Sequence, residues 1–173
     1  GLISDIEQQI YGHAGQEFNI SSPSQLSKVL FEDMKLSTQG IKKGKTAYST
    51  AAGELDKLRW TNPIINLVTQ YREYTKLKST YIDALPKLID QDSRLHTDFR
   101  LTIAQTGRLS SAEPNLQNIP VRTEIGKKIR DAFIVEEGNV LISADYSQFE
   151  LRLAAAMAGD TELVELFNQD ADI

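Results

Sequence analysis

The chain has 173 residues, of which 40% are hydrophobic and 25% charged, a composition typical of a folded globular protein and not of a disordered one. It contains no cysteine, which excludes disulfides, thiolate zinc sites and cysteine nucleophiles. No apolar run approaches the roughly 18 residues of a membrane span, and the first residues lack a secretory signal. We therefore expect a cytoplasmic protein without a membrane segment.

The net charge of −5 conceals a segregation of charge along the chain. Nine basic and three acidic residues occur between 35 and 78, and seven basic and three acidic residues between 94 and 130. From residue 131 onwards there are ten acidic residues and one arginine. A basic middle can face phosphates and an acidic end can hold cations, although solvated helix faces would give the same distribution.

Helical periodicity and capping residues predict that the first half of the chain is helical. A first helix should end at Gly15, a second should begin after the N-cap Ser22, and the longest should begin after Asn62. Residues 40–46 form a basic, glycine-flanked loop between the last two. Pro86 should stop or kink the longest helix.

The pattern changes near residue 90, which predicts a boundary between a helical module (residues 1–90) and an α+β module (residues 91–173). Short strands are predicted in 95–100 and 101–103. Glycine, proline and polar residues predict an ordered loop or a chain of turns over residues 106–123.

The last quarter of the chain predicts a strand pair followed by helices. Residues 132–135 and 139–144 are apolar runs on either side of the turn Glu136–Gly138, as in a hairpin. Residues 149–158 predict a helix, and Asp160 can cap another. The fold class is therefore α+β, and because so small a sheet is not stable alone, we expect the chain to be a piece of a larger protein.

Asp145 is the first candidate for chemistry, because it directly follows the apolar run that ends at Ile142. A carboxylate at the end of a core strand is held rigidly, which suits a hard cation such as Mg²⁺. Glu150 lies one helical turn further and could point to the same cleft. In the alternative interpretation, Asp145 only ends a strand and caps the next helix.

The residues around Asp145 resemble a known family. Residues 145–152, Asp-Tyr-Ser-Gln-Phe-Glu-Leu-Arg, are similar to the first palm motif of family A DNA polymerases, the bacterial DNA polymerase I group. Residues 106–111 (TGRLSS) and 114–122 (PNLQNIPVR) are similar to a second signature, and residues 76–81 (KLKSTY) to the end of the thumb. The matches occur in the family's order, with one departure: bacterial members usually carry Ile where this chain has Phe149.

The resemblance implies that residues 1–90 form the helical thumb and that residues 91–173 begin the palm, with a small antiparallel sheet. The full-length protein to which this segment belongs (the parent) would be a monomeric DNA-directed DNA polymerase that extends primer–template DNA with deoxynucleoside triphosphates. It would use two Mg²⁺ ions for in-line phosphoryl transfer. The segment alone is expected to be inactive, because the second metal-binding aspartate and the fingers residues lie outside it.

The resemblance also implies roles for individual residues of the acidic motif. Asp145 would be one of two aspartates that bind the metal pair, with the backbone carbonyl of Tyr146 as a further ligand. Asp145 and Glu150 form the catalytic set, and Gln148 and Glu150 are assigned to cofactor binding. Glu150 would also close the space that a ribose 2′-hydroxyl needs.

DNA contacts are implied for residues of the second signature and the thumb. They are Arg108, Asn115, Gln117, Asn118, Arg122 and Lys78. Arg108 would read minor-groove acceptors at the primer end, and Lys78, more loosely with Lys42, Lys43 and Lys45, would contact phosphates. For Asn115, Gln117 and Asn118, the alternative is that the residues form a loop that satisfies the hydrogen bonds of its own backbone.

A non-catalytic DNA-binding module derived from a polymerase is the competing hypothesis. Such a module needs the lysines but not the carboxylates. The presence of Asp145 and Glu150 together with Arg108 and Gln148 disfavours it.

Overall fold

The computed structural model describes residues 1–121 and 123–171, which fall into two compact units, Gly1–Ala132 and the residues from Phe133 onwards. The α-helices are α1 (Leu2–Ala14), α2 (Pro23–Ser27), α3 (Ala52–Asp56), α4 (Pro63–Leu77), α5 (Glu124–Asp131), α6 (Phe149–Ala158) and α7 (Thr161–Asn168). The other elements are π-helical segments at Lys28–Asp33 and Lys78–Ile82, a 3-10 turn at Leu85–Leu88, and the strands β1 (Asp98–Arg100) and β2 (Ser110–Ala112). None of the helices in this part of the chain could cross a membrane.

Local capping fixes the boundaries of the first helices where the sequence predicts them. Gly15 ends α1 in the left-handed conformation, with φ of 69°. The Ser22 hydroxyl accepts a hydrogen bond from the backbone N–H of Gln25 at 3.5 Å, and the Asn62 side chain accepts one from Ile64 at 3.0 Å. Each cap satisfies a backbone donor that the first helical turn leaves unpaired.

The core of the first unit lies between α1 and α4, with the first π-helical segment packed beside them. Ile10 of α1, Leu30 of the π-helical segment, and Ile64 and Val68 of α4 are fully buried. Burial of one such side chain stabilises the fold by about 1.5–3 kcal/mol. This core supports the long helix that leads to Lys78 and Tyr81.

Helix α4 continues into the π-helical segment Lys78–Ile82, where the N–H of Asp83 bonds the carbonyl of Lys78 at 2.9 Å. Pro86 then lies in the first turn of the 3-10 segment, where its missing N–H removes no helical hydrogen bond. Short π-helical segments are often found at functional sites. The irregular end of this helix presents Lys78 and Tyr81.

Strands β1 and β2 form an antiparallel pair in which Asp98 faces Ala112 and Arg100 faces Ser110. The fold class, α+β with a small antiparallel sheet, is confirmed. The strand predicted over 95–100 forms only at its end, and the one predicted over 101–103 is wrong, since those residues form a bend. Strand β2 lies within the predicted loop of residues 106–123. The sequence did not predict this strand, because its two serines and alanine have little strand propensity of their own.

The strand pair predicted at 132–135 and 139–144 is wrong. Helix α5, capped by the Thr123 hydroxyl, ends at Asp131, and Ala132, the first residue of the predicted strand, is its C-cap. No described strand pairs with either run. The sequence analysis missed α5 although Ile125 and Ile129 are four residues apart, because two apolar residues in an eight-residue helix give only a short periodic signal.

The turn between the predicted strands does form, with a hydrogen bond from the N–H of Asn139 to the carbonyl of Glu136 at 3.1 Å. The flanking apolar run remains uncovered: Val140 is 79% exposed and Ile142 is 82% exposed. Among the described residues no third strand or helix covers this run, and a lone hairpin is marginal in water.

The second unit contains α6 and α7, both as predicted. Gly159 separates them in the left-handed conformation, and the Asp160 carboxylate accepts a hydrogen bond from the N–H of Leu163 at 3.0 Å. Ala155 and Phe167 are buried where the two helices meet.

Candidate functional site

Asp145 lies on the irregular segment just before α6, and its side chain is exposed. No strand ends there, so Asp145 is not at the end of a core strand, as both interpretations of it assumed, and because the N-cap of α6 is Gln148, Asp145 does not cap that helix. Tyr146 is exposed, and its ring lies 5.5 Å from that of Phe149, the residue in which this chain departs from the usual isoleucine. The motif therefore presents its carboxylate to solvent.

Gln148 turns the chain from this segment into α6. Its backbone is left-handed, with φ of 50° and ψ of 33°, a conformation that costs a residue other than glycine roughly 1–2 kcal/mol. The turn puts Glu150, which is exposed, in the first turn of α6. A carboxylate at that place is favoured by the helix dipole.

Arg152 holds this turn against α7. Its Nε donates to the carbonyl of Ser147 at 3.0 Å, and its Nη1 donates to the carbonyl of Phe167 at 3.2 Å. The guanidinium carbon also lies 4.8 Å from the centroid of the Phe167 ring. Three contacts from one side chain thus fix the residues that follow Asp145.

The donor atoms of the motif suit a hard cation. The Asp145 carboxylate and the Tyr146 carbonyl are oxygens, the ligand type that Mg²⁺ prefers. No group of three or more potential ligands occurs within residues 1–121 and 123–171. Binding of Mg²⁺ by Asp145 and the Tyr146 carbonyl stays a prediction.

In the first unit, Arg108 lies between a tight turn and strand β2. Gly107 closes the turn with φ of 76°, and its N–H bonds the carbonyl of Ala104 at 3.1 Å. The Arg108 side chain is exposed. A long donor placed beside a fixed strand can reach acceptors on a bound duplex.

The amide residues of the second signature form part of a hydrogen-bonded loop. The side-chain oxygen Oδ1 of Asn115 accepts from the N–H of Gln117 at 3.0 Å, and Gln117 Nε2 donates to the backbone carbonyl of Leu109 at 3.2 Å. The backbone carbonyl of Asn118 accepts from the hydroxyl of Tyr81. These bonds favour the self-satisfied loop for Asn115 and Gln117, while their DNA contacts stay a prediction.

Ser111 anchors the same loop from the side of the sheet. It is buried, and its hydroxyl lies 2.6 Å from that of Thr97 and accepts from the N–H of Leu116 at 3.0 Å. Thr97 also donates to the carbonyl of Pro114 at 2.8 Å. The loop is therefore bonded to both strands of the hairpin.

Lys78 forms an ion pair with Asp83, with Nζ 2.6 Å from the nearer carboxylate oxygen. Both side chains are about half exposed, so the pair contributes little to stability, typically about 0–1 kcal/mol. A DNA phosphate could therefore displace the aspartate at small cost. The phosphate contact of Lys78 stays a prediction.

The basic loop is folded back on itself. Lys43 and Tyr48 form an isolated antiparallel bridge, with the lysine Nζ 5.2 Å from the ring centroid, and the N–H of Lys42 donates to Glu54 at 2.9 Å. The side chain of Lys45 is exposed. The backbone at Lys42 and Lys43 is thus held by bonds within the first unit.

Arg72 of α4 lies beneath this loop, a residue that the sequence reasoning missed. Its guanidinium donates to the carbonyl and, at 3.2 Å, to the hydroxyl of Thr50, and burial lowers its pKa. It lines a pocket of about 480 Å³ with Ser24 and Ser49. Within the described parts of the chain, Arg72 pairs with no carboxylate.

Arg122 lies outside the described residues.

The comparisons with known proteins agree on one family. The sequence model described as DNA polymerase family A matches residues 2–173. The chain belongs to this family. The family that the sequence signatures indicated is therefore confirmed.

The family A relatives are bacterial. The chain is 49% identical over 169 residues to the thermostable DNA polymerase I of Thermus filiformis, and 52% identical over 171 residues to the DNA polymerase I of Bacillus caldotenax. Each alignment covers 97% of the chain but 20% and 19% of the relative. The chain thus spans about a fifth of the length of these polymerases.

A solved polymerase structure is also similar. It is the POL domain of Pol1 from M. smegmatis in complex with DNA primer-template and dNTP, with a TM-score of 0.85 and 44% sequence identity. The match covers 98% of this chain and 30% of that one.

The family signatures located the candidate residues but not their supports. Arg152 lies inside the first motif, which was the available signal for it. Tyr81 likewise lies inside the thumb signature of residues 76–81, whereas Arg72 gave no comparable signal, because its partner Thr50 lies 22 residues away in the sequence.

Proposed function

We propose that the full-length protein containing this segment (the parent) is a DNA-directed DNA polymerase that adds deoxynucleotides to a primer 3′-hydroxyl. The observation that carries the proposal is the exposed carboxylate of Asp145 on a turn held by Arg152, within a chain that matches family A from residue 2 to 173. The similar M. smegmatis domain was solved with primer-template DNA and dNTP, which supports the same partners for this protein.

The proposed division of labour follows the family. Residues 1–90 form the thumb, which binds duplex phosphates through Lys78 and the basic loop. Residues 91–173 begin the palm, which carries Arg108 towards the primer end and Asp145 towards the reacting groups. We further propose that the parent is a cytoplasmic monomer.

Arg72 and its pocket support phosphate binding by the thumb. The Arg72 guanidinium is hydrogen-bonded to Thr50 but, among the described residues, pairs with no opposite charge, which a partly buried charge favours. The hydroxyls of Ser24 and Ser49 supply further donors around the same pocket. A backbone phosphate of DNA would supply the missing negative charge.

Asp145 and the Tyr146 carbonyl would hold Mg²⁺, together with a second aspartate from another part of the parent. When bound, the ions would lower the pKa of the primer 3′-hydroxyl and stabilise the charge of the triphosphate. The protein's own part is to hold the Asp145 carboxylate steady, through the turn at Gln148 and the bonds of Arg152.

Glu150 would set the sugar preference. It stands in the first turn of α6, five residues after Asp145, so it can lie beside the sugar of a nucleotide whose phosphates are at Asp145. An added 2′-hydroxyl would clash or disturb the hydrogen bonds of the carboxylate, which penalises only the ribonucleotide.

Primer extension by the parent tests the proposal. Purified parent is mixed with a primed DNA template, Mg²⁺ and the four deoxynucleoside triphosphates, and extension should depend on the template and on each complementary nucleotide. DNA binding without any extension would instead support the non-catalytic DNA-binding module.

A further inference from the structure

Tyr81 links the helical part of the first unit to the signature loop. It lies on the π-helical segment that follows α4, its side chain is 7% exposed, and its hydroxyl donates to the backbone carbonyl of Asn118. Burial raises the pKa of the phenol, so it stays protonated and remains a donor at neutral pH. A buried hydroxyl needs such a partner, since an unsatisfied one is costly.

The loop that receives this bond is connected by hydrogen bonds to the residue next to Arg108. Asn118 directly follows Gln117, whose Nε2 donates to the carbonyl of Leu109 at 3.2 Å. Leu109 is bonded covalently to Arg108. A shift of Asn118 would therefore pass through Gln117 to the backbone that carries the Arg108 side chain.

The other anchors of the loop are local to the hairpin. Ser111 and Thr97 bond the loop at Leu116 and Pro114, all within the region of the two strands. The hydroxyl of Tyr81, in contrast, reaches the loop from the helical region, across 37 residues of sequence. It fixes the position of the loop relative to the end of α4.

We infer that Tyr81 is a positioning residue that holds the signature loop, and through it Arg108, in register with the end of α4. The inference rests on the proposed function, in which Arg108 tests the geometry of the primer end. Tyr81 itself touches neither DNA nor nucleotide in this role.

Tyr81→Phe removes the hydroxyl and keeps the buried ring. In the parent, it should reduce the preference for a matched over a mispaired primer end about threefold to tenfold, the effect expected from losing one neutral hydrogen bond. Single-nucleotide extension of matched and mispaired primers measures this preference.

Tyr11→Phe is the matched control. Tyr11 also donates to a backbone carbonyl, that of Phe18 at 3.0 Å, in the same unit but away from the loop. The Tyr11→Phe variant should lower the melting temperature about as much as Tyr81→Phe does and leave the primer-end preference unchanged. Equal losses of preference in the two variants would overturn the inference.

A double variant separates positioning from a general loss of structure. With Arg108→Ala already present, adding Tyr81→Phe should cause no further loss of primer-end preference, because residues that act through one another are not additive. Additive losses would contradict the inference.

Hydrogen exchange gives a readout that does not depend on catalysis. The N–H groups of Leu116 and Gln117, which are bonded to Ser111 and Asn115, should exchange faster in Tyr81→Phe than in Tyr11→Phe. Unchanged exchange would overturn the link between Tyr81 and the loop. A parent that extends no primer would refute the proposed function, while the exchange result would still decide this link.

Discussion

Arg152 donates a hydrogen bond from Nε to the backbone carbonyl of Ser147, 3.0 Å away, five residues back along the chain. This bond spans the strained residue Gln148 and fixes the turn that lies between Asp145 and α6. Because Arg152 also bonds the carbonyl of Phe167 and covers its ring, α7 supports the same turn. Arg152 thus anchors the residues that connect Asp145 to α6.

Arg152→Ala in the parent should lower kcat of primer extension by at least about tenfold, since loss of hydrogen bonds from a charged donor costs about 1.5–3 kcal/mol each. Arg152→Lys keeps the charge but not the planar fork, and should recover only part of the rate. Steady-state extension and DNA binding measure the effects separately. An equal loss of DNA affinity and kcat would show that Arg152 acts on the whole fold and not on the turn.

Asp145→Ala should abolish extension by the parent while DNA affinity changes little, because the carboxylate is proposed to bind the metal and not the duplex. Asp160→Ala is the control, since Asp160 caps α7 in the same unit and its loss should cost about 1 kcal/mol of stability without loss of turnover. The isolated 173-residue chain should extend no primer, because it supplies only one aspartate of the metal site. Extension by that chain would refute the two-aspartate assignment.

Arg108→Ala in the parent should slow extension and weaken discrimination against a mispaired primer end. One good groove contact is worth roughly 1–3 kcal/mol, so we expect about a tenfold or larger loss of catalytic efficiency. Single-nucleotide extension on matched and mispaired primers measures both effects. Identical kinetics of the variant and the wild type would remove Arg108 from the site.

Glu150→Ala in the parent should raise incorporation of rCTP relative to dCTP, at some cost in rate, because it opens the space beside the sugar. Glu162→Ala is the matched control: Glu162 is also an acidic residue in the first turn of a helix of the second unit. Both variants should lose a helix-dipole contribution of about 0.3–1 kcal/mol. If neither variant changes the incorporation of rCTP relative to dCTP, Glu150 acts only as a charge at the start of its helix.

Tyr11 predicts a pH dependence of stability. Burial, followed by its hydrogen bond to Glu7, raises the pKa of Tyr11 to about 12, above the usual value of about 10. The stability contribution that goes with the raised pKa is fully present below pH 10. It is lost as the pH rises from 10 to about 12. Tyr11→Phe should therefore be less stable than the wild type at pH 8, and the difference in melting temperature should shrink above pH 10. A constant difference across that range would refute the assignment.

The helices and the family motifs could be predicted from the sequence because their signals are local. The caps at Ser22 and Asn62 bond backbone groups two or three residues away, and Gly15 ends its helix by its own conformational freedom. The motif around Asp145 is likewise a contiguous run of residues. The membership of the chain in family A follows from the order of the signatures and needs no coordinates.

Only the tertiary structure decided the strands and the supports of the candidate site. The apolar run after Asn139 has the composition of a strand, yet a strand forms only where a partner supplies its hydrogen bonds, and none of the described residues does so for this run. Strand β2 forms from residues of low strand propensity, because the buried hydroxyl of Ser111 bonds Thr97 and Leu116. Tyr81 bonds Asn118 across 37 residues, and such non-local hydrogen bonds depend on chain folding, which no local pattern encodes.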